Sequence, residues 1–514
     1  MANLTRRKFL TGAAVAGVGA LSLGLAACAP STGGGSNVSH PSAIPETWDE
    51  EHEIVVLGAG ITGMAAAISA KLAGADVMVY DSASTAGGTS ALSGGIVQAA
   101  GTKWQKQFTQ YQDDTPAKHA ECYIQQAEGL ADPDLIKAIT ARAPEMVQWM
   151  ADNGTEWIGL YGNCRVPNMD QQYVADRIHL NSKSSGTGIT DPEFAKAQEL
   201  GVPFTFGAKA LNLYRDPSAG VVGVQIQQGN ATSNVKASKA VVLALGGIDH
   251  NTVMAQALNP QQYWALTEHS CLCHPNNMGD GIRMGMAVGG ALATHGGTID
   301  IDFVAMLGLS NTTPTIPGII VNQAGMRFVC EDATYAYIMR ACWQEIRKLS
   351  GQTWLIMDQN MVEKNVGPFA ADPDSHIKDG QFYKGETLAE LGQKIGVPAG
   401  SLEASFKLWN DNIAATGTDP IFQRNTELIE LGKGPFYANR CTTANLGSLG
   451  GLKINTKTQV IDNEGQVIPR LYAGGMNSGG WYGNYYPGSG TALMGGAVTG
   501  RIAAENAVLE TPWV

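Results

Sequence analysis

Three glycines and one acid set the first chemistry open to this chain. Gly58, Gly60 and Gly63 stand in the run Gly58-Ala59-Gly60-Ile61-Thr62-Gly63, and Asp81 follows 18 residues after Gly63. Glycines at this spacing let a tight turn approach a pyrophosphate, which then rests on the N–H groups of a helix start. An acid about 20 residues further on is positioned to accept hydrogen bonds from ribose hydroxyls. The elements needed to hold these groups are written around them. Ile54-Val55-Val56-Leu57 reads as a buried parallel strand, an alanine-rich helix follows the glycines, and Asp76-Val77-Met78-Val79-Tyr80 leads as a second apolar run into Asp81. A lone glycine motif would say little. Strand, turn, helix, strand and acid in this order predict a dinucleotide-binding unit.

Glycine supplies 63 of 514 residues, well above the usual ~7%, with no collagen-like period. The excess predicts many close backbone approaches, as a large flat cofactor requires. One such segment runs from Ala86 through Gly87-Gly88-Thr89-Ser90 and Ser93-Gly94-Gly95 to Ile96. Residues Thr115 to about Asn153 carry helical periodicity, broken at Asp132-Pro133-Asp134. From Ala208 the period changes to two, predicting three short strands at Ala210–Leu213, Gly220–Ile226 and Asn234–Lys236. A return strand, Ala240–Leu245, then ends in Gly246-Gly247. Gly279-Asp280-Gly281 opens a further helix, and Leu471-Tyr472-Ala473-Gly474-Gly475 repeats the strand-to-glycine pattern. The organisation predicted is α/β: a Rossmann-like domain of parallel sheet plus β-meander over 51–289 and 438–514, interrupted by an α+β capping domain over 290–437.

The net charge of −12 argues against a nucleic-acid partner, since no basic face is present to displace phosphate counterions. Thr5-Arg6-Arg7-Lys8-Phe9-Leu10 reads as a twin-arginine export signal, with an apolar stretch from Ala13 to Ala27. Leu25-Ala26-Ala27-Cys28 reads as a lipobox, so residues 1–27 would be removed and Cys28 lipidated. Residues 28–50, rich in Ser, Gly and Pro, form a flexible tether. The expected location is extracytoplasmic, anchored to the cell membrane. Seven cysteines besides Cys28 cannot all pair, so no regular disulfide framework is expected. Cys271-Leu272-Cys273-His274 lacks the spacing of a haem or metal site, and these thiols read as buried and ordinary; no metal is expected.

Taken together, these segments with Arg327-Phe328-Val329 and Tyr486-Pro487-Gly488-Ser489-Gly490 resemble the FAD-binding oxidoreductases that include fumarate reductase flavoproteins and 3-ketosteroid dehydrogenases. The resemblance runs from about Glu53 to Glu505. It implies FAD held by Gly58, Gly60, Ile61, Thr62 and Gly63, by Asp81 and Ser82, and by Gly87, Gly88, Thr89, Ser90, Ser93, Gly94 and Gly95. It further implies Ala208, Ala244, Gly246, Gly247, Asp280, Gly474, Gly475, Gly490, Ala492 and Leu493. Fumarate reductases hold their dicarboxylate with cations that this chain lacks: Leu446-Gly447-Ser448-Leu449 and Tyr485-Tyr486-Pro487 occupy those segments, and Tyr335 lies near the place of the acid Arg. An unpaired dianion would be costly to bury. The final motif instead matches the ketosteroid branch. The resemblance to that branch implies that Tyr486 and the Gly490 N–H grip a substrate carbonyl oxygen and that Tyr335 moves a proton to or from carbon. A third family tyrosine has no clear counterpart; Tyr111 and Tyr123 are candidates.

These residue types suit the reaction. Hydride exchange at a carbon β to a carbonyl builds enolate charge on the oxygen, which neutral donors stabilise without requiring a charged substrate. A tyrosine is a suitable acid toward carbon where a carboxylate would already be ionised. The expectation is hydride transfer between the flavin and a C=C bond conjugated to a carbonyl, in a ketosteroid or similar small molecule, with a separate membrane or periplasmic electron partner. Three alternatives stay open: a ketosteroid dehydrogenase, a fumarate- or urocanate-type enoate reductase, and a flavin electron carrier without catalysis.

Overall fold

The apolar run at Ile54–Leu57 closes β1 (Glu50–Leu57), and its side chains are buried on both faces. In this computed structural model residues 43–162, 164–293, 297–302, 318–364, 373–378 and 382–514 are described. The export signal, Cys28 and most of the tether lie outside them. The main sheet continues with β2 (Val77–Asp81), β3 (Phe204–Phe206), β4 (Ala208–Asp216), β5 (Gly220–Gln228), β6 (Ala231–Leu243), β7 (Gln459–Ile461) and β8 (Val467–Ala473). Its order is β7-β8-β6-β1-β2-β3, with β4 and β5 a meander attached through β6. The pairings β8–β6, β6–β1, β1–β2 and β2–β3 are parallel. One element differs from expectation: the last meander strand and the return strand are a single strand, β6, of 13 residues. Val235 and Ala237 face one core layer and Ala240 the other, and the pairing with β1 runs through both with a register shift between them.

The register brings the chemistry to one edge. Leu57 pairs with Tyr80 and with Leu243, and Ala473 with Leu243, so four parallel strands end level. The chain beyond each end is therefore Gly58, Asp81-Ser82, Ala244 and Gly474, at the carboxyl edge where open α/β sheets bind ligands. Three helices matter for the site: α1 (Ile61–Leu72), α2 (Tyr335–Leu349) and α3 (Thr491–Ala507). Alanines of α1 and α3 share an apolar layer with Ile54, Val56 and Val79, and these small side chains allow close helix packing.

Between the two stretches of the main sheet lies an antiparallel sheet with strands in the order Ile319–Val321, Trp354–Met357, Phe436–Arg440, Phe382–Gly385. A three-stranded sheet, Ser270–Cys271, Thr443–Leu449 and Gly297–Asp302, adjoins it in sequence. Arg327 organises the loop before α2: it pairs with Glu331 and Asp419, each at 2.6 Å, and stacks on Trp409 and Phe422. With Glu331 and Asp419 buried, loss of Arg327 would leave Glu331 with Arg424 at 3.7 Å and Asp419 with backbone N–H donors alone, a costly loss of charge pairing. Among the described residues, no helix is long and apolar enough to cross a membrane.

Candidate active site

One cavity collects the ends of the parallel strands. It is lined by Gly58, Gly60, Ile61 and Thr62 from the first turn, Asp81 and Ser82 after β2, and Gly88, Thr89, Ser90, Ser93 and Gly94 from the second glycine segment. Ala244, Gly246, Asp280, Gly474, Gly475, Gly490, Ala492 and Leu493, also named from sequence, line it as well. Gly58 has φ 107°, and a Cβ there would lie 2.2 Å from the Ala244 carbonyl oxygen, so only glycine lets the strands close at this point. α1 begins at Gly60, which has no side chain to cap it; Ser90 Oγ accepts the Ile61 N–H at 3.3 Å, and the N–H groups after it are left for an anion. Asp81 accepts the Ala59 N–H at 2.6 Å and the Ala83 N–H at 2.7 Å, which fixes its carboxylate while leaving lone pairs for a diol.

Five residues expected to hold cofactor are not on the wall: Gly63, Gly87, Gly95, Ala208 and Gly247. Each packs behind it. A Cβ on Gly63 would stand 1.8 Å from the Gly58 carbonyl oxygen, one on Gly95 1.9 Å from that of Ser185, and one on Gly247 1.8 Å from Ser448 Oγ. Gly87 gives its N–H to the Ala59 carbonyl, and Ala208 is buried in β4. The wall also includes residues that motif reading missed. Asn276 donates to Ser82 Oγ at 3.0 Å, and Asn277 donates to Thr89 Oγ1 at 3.0 Å and Asp249 at 2.8 Å. Lys209 pairs with Asp280 at 3.1 Å. In sequence the only signal for this loop was a polar turn after Pro275.

The tyrosine region lies on the same cavity. Tyr335 opens α2 and Tyr486 precedes α3, with ring centroids 6.3 Å apart. Ser489 Oγ donates to the Tyr335 hydroxyl at 3.4 Å. The Tyr486 hydroxyl accepts the Ala492 N–H at 2.6 Å, in the first turn of α3, whose N-cap residue Gly490 has no side chain to do so. Gly490 has φ 91°, and a Cβ there would meet the Val97–Gln98 backbone at 2.9 Å, so chain direction and space both demand glycine. Burial, then the neighbouring Tyr486, holds the Tyr335 phenol well above its ordinary range. Burial raises Tyr486 too, while the Ala492 N–H pulls the other way. Both phenols are thus protonated at neutral pH. Tyr123 is buried off the wall, its hydroxyl sharing hydrogen bonds with Gln98 Oε1 at 2.8 Å and Thr491 Oγ1 at 2.6 Å. Tyr111 is also absent from the wall. Among the described residues lining the cavity there is no arginine.

An elongated cofactor with pyrophosphate, ribose and a flat ring fits this donor set. A helix start faces the first, a fixed carboxylate the second, and glycine-rich backbone the third. Residues 53–493 match the family described as FAD binding domain. The chain belongs to this family. As an FAD-binding chain it is an FAD-dependent oxidoreductase, in keeping with its relatives. It is 29% identical to digoxin reductase of Eggerthella lenta over 99% of its own length and 98% of that protein. It is 28% identical to a probable fumarate reductase of Shewanella frigidimarina, over 90% of this chain and 76% of that one. A solved 3-ketosteroid-Δ4-(5α)-dehydrogenase from Rhodococcus jostii, in complex with 4-androstene-3,17-dione, superimposes with TM-score 0.78 and 27% identity, covering 92% of this chain and all of that one.

Proposed function

We propose that this FAD-dependent enzyme reduces the C=C bond of a neutral, apolar enone such as a ketosteroid. The carrying observation is the pair Tyr335 and Tyr486, two neutral phenols 6.3 Å apart on the FAD cavity, with no arginine among the described residues lining it. FAD, when bound, supplies the hydride. Tyr486, its oxygen already occupied by the Ala492 N–H, has its proton free to donate to the substrate carbonyl oxygen. The Gly490 N–H is the second donor to that oxygen, and together they stabilise the enolate charge as it forms. Tyr335 gives a proton to the α carbon and draws on Ser489 as its hydrogen-bond partner.

The direction follows from protonation. A phenol held above its ordinary range keeps its proton at neutral pH, so the form that reduction uses is the one present and the phenolate that dehydrogenation needs is scarce; no cation is among the causes of the shift. That favours reduction over dehydrogenation. We further propose that the enzyme is exported through its twin-arginine signal, is anchored at Cys28 and is fed by a membrane or periplasmic electron donor. The basis is the sequence of residues 5–28 and the absence of a second dinucleotide motif for a nicotinamide.

The test is anaerobic mixing of chemically reduced holoenzyme with a panel of steroid enones, acrylates, urocanate and fumarate, followed by flavin absorbance. Reoxidation by enones, with fumarate inert, is expected. Rapid reoxidation by fumarate with every enone inert would overturn the proposal, and no reoxidation by any compound would favour an electron carrier.

A further inference from the structure

Behind the loop that carries Gly490 lies a buried side chain with no part in the reaction above. Gln98 ends the strand Ile96–Gln98, is 1% exposed and is not on the cavity wall. Its backbone N–H donates to the Gly490 carbonyl at 3.3 Å, and its side-chain Nε2 donates to the Ser489 carbonyl at 2.8 Å. One residue thus holds two consecutive carbonyls of the loop. The Gln98 amide is itself fixed at both ends: the Tyr123 hydroxyl donates to Oε1 at 2.8 Å, and Cys164 Sγ takes the second Nε2 hydrogen. Turning the amide over would set Oε1 against the Ser489 carbonyl oxygen, so the partners dictate which end is nitrogen. Cys164 is enclosed, as are the other described cysteines except Cys271, which is half-buried and not fully buried as its sequence suggests.

We propose that Gln98 is a positioning residue that aims the Gly490 N–H at the substrate carbonyl oxygen; this rests on the role given to Gly490 above. The Ser489–Gly490 peptide is trans and planar, so its C=O and N–H point in opposite directions. A donor that grips the Ser489 oxygen from behind the wall therefore turns the Gly490 N–H away from Gln98, toward the cavity that both loop residues line. Among the described residues no backbone carbonyl accepts that N–H. The plane needs holding. Gly490 has no Cβ and can take either sign of φ, so nothing local prevents this peptide from flipping. Flipped, it would present the Ser489 carbonyl, an acceptor, to an oxygen that is gaining negative charge.

Tyr123 acts one step further back. Its hydroxyl also shares a hydrogen bond with Thr491 Oγ1 at 2.6 Å, so it ties the Gln98 amide to the first residue of α3. The titratable groups around Gln98 keep one charge state between pH 5 and 9. Burial holds Tyr123 well above the ordinary phenol range and pushes Cys164 up to about 12, while His119, stacked on Tyr123, is kept neutral by burial. Arg177, beside the Ile178 that pairs with Gln98, is closed on Asp114 at 2.7 Å. A carboxyl placed at position 98 would therefore be the group there that titrates.

The test uses Gln98→Met and Gln98→Glu holoenzymes with the best steroid enone. Gln98→Met keeps the length and loses the donor, so kcat should fall about 10–100-fold with KM and FAD content near those of the parent. Gln98→Glu carries its own control. Protonated, its O–H donates to the Ser489 carbonyl and its C=O accepts from Tyr123; ionised, it repels that carbonyl. Burial raises a carboxyl, so kcat should approach the parent's at about pH 5.5 and fall to the Gln98→Met level by about pH 9. Calorimetry with oxidised holoenzyme and 4-nitrophenolate, whose oxygen mimics the enolate, should show affinity about tenfold weaker in Gln98→Met. Parent-like kcat and phenolate affinity in Gln98→Met, or a Gln98→Glu profile parallel to the parent's, would overturn the assignment of Gln98 alone. A parent inert toward every enone would instead remove the function on which it rests, and the assignment with it.

Discussion

The Tyr486 hydroxyl accepts a hydrogen bond from the Ala492 N–H, six residues on, at 2.6 Å. One loop thus ties a substrate-facing phenol to the open N-terminus of α3, whose dipole favours negative charge on the bonded oxygen. The phenol becomes a better donor without losing its proton. Tyr486→Phe keeps the ring and removes the donor. Turnover of the best enone should fall by about 10²–10³-fold with FAD content unchanged. Steady-state kinetics beside flavin absorbance checks this, and a variant as active as the parent removes Tyr486 from the reaction.

Tyr335 should set the pH dependence of the two directions differently. Its pKa is raised, chiefly by burial, so the acid form persists beyond the ordinary value near 10. Reduction that uses this acid should be flat between about pH 6 and 9 with respect to Tyr335. Dehydrogenation would need the phenolate, whose population grows about tenfold per pH unit over that range, and should climb accordingly. Tyr335→Phe should slow both by about 10²–10⁴-fold. pH–rate profiles measured in each direction discriminate the outcomes.

How much of this was legible in the sequence depends on distance along the chain. Gly58 to Asp81 was readable because strand, turn, helix and acid are contiguous, and the structure brings them to one sheet edge by register. Tyr335 and Tyr486 were named only through resemblance, since 151 positions separate them and no local period links them. Asn276, Asn277 and Lys209 were missed, because a polar turn and a strand lysine look alike wherever they occur. Gly63, Gly87, Gly95 and Gly247 looked like ligand contacts, yet all four serve contacts within the protein. Glycine density marks close approach without saying what approaches.

That distinction can be measured. Gly63→Ala would place a Cβ 1.8 Å from the Gly58 carbonyl oxygen, forcing α1 off β1. The apo-protein should lose about 1–3 kcal/mol of stability, and FAD loading should fall with it. A Cβ on Gly94 meets no protein atom within 4 Å, and Gly94 lines the cavity. Gly94→Ala should therefore leave apo stability within about 0.5 kcal/mol and weaken FAD alone. Denaturant melts of apo- and holo-protein separate the two; equal apo stability in both variants contradicts the packing role of Gly63.

Anchoring at Cys28 predicts a change in location without a change in chemistry. Cys28→Ala should move the protein from the membrane fraction to the soluble extracytoplasmic fraction while FAD content and the reoxidation rate stay as they were. Cell fractionation with immunoblotting measures it. A Cys28→Ala protein that remains on the membrane refutes the anchor, and a protein still found outside the cytoplasm with Arg6 and Arg7 both replaced by Lys refutes the export route.

Acid stability should carry the mark of buried histidine. His179 is enclosed: Thr102 Oγ1 lies 2.7 Å from Nε2, and the Val97 and Arg177 carbonyls lie 3.2 and 3.0 Å from Nδ1. Two carbonyls at Nδ1 require the proton there, so Nε2 accepts and the ring is neutral. Burial pushes its pKa down to about 4, against a bonding contribution from the two carbonyls, and burial pushes His119 down as well. A folded-state pKa below the unfolded value gives stability that is complete above about pH 6.5 and is lost as pH falls toward 4. For His179 the loss by pH 4 is about 3 kcal/mol. Urea melts at pH 7.5, 5.5 and 4.5 should therefore decline steeply in the parent. His179→Asn, which cannot take up the proton, should start from a lower stability at pH 7.5 and decline by correspondingly less. Parallel declines in the two proteins would mean that His179 is already protonated in the folded state, and the neutral-ring assignment would fall.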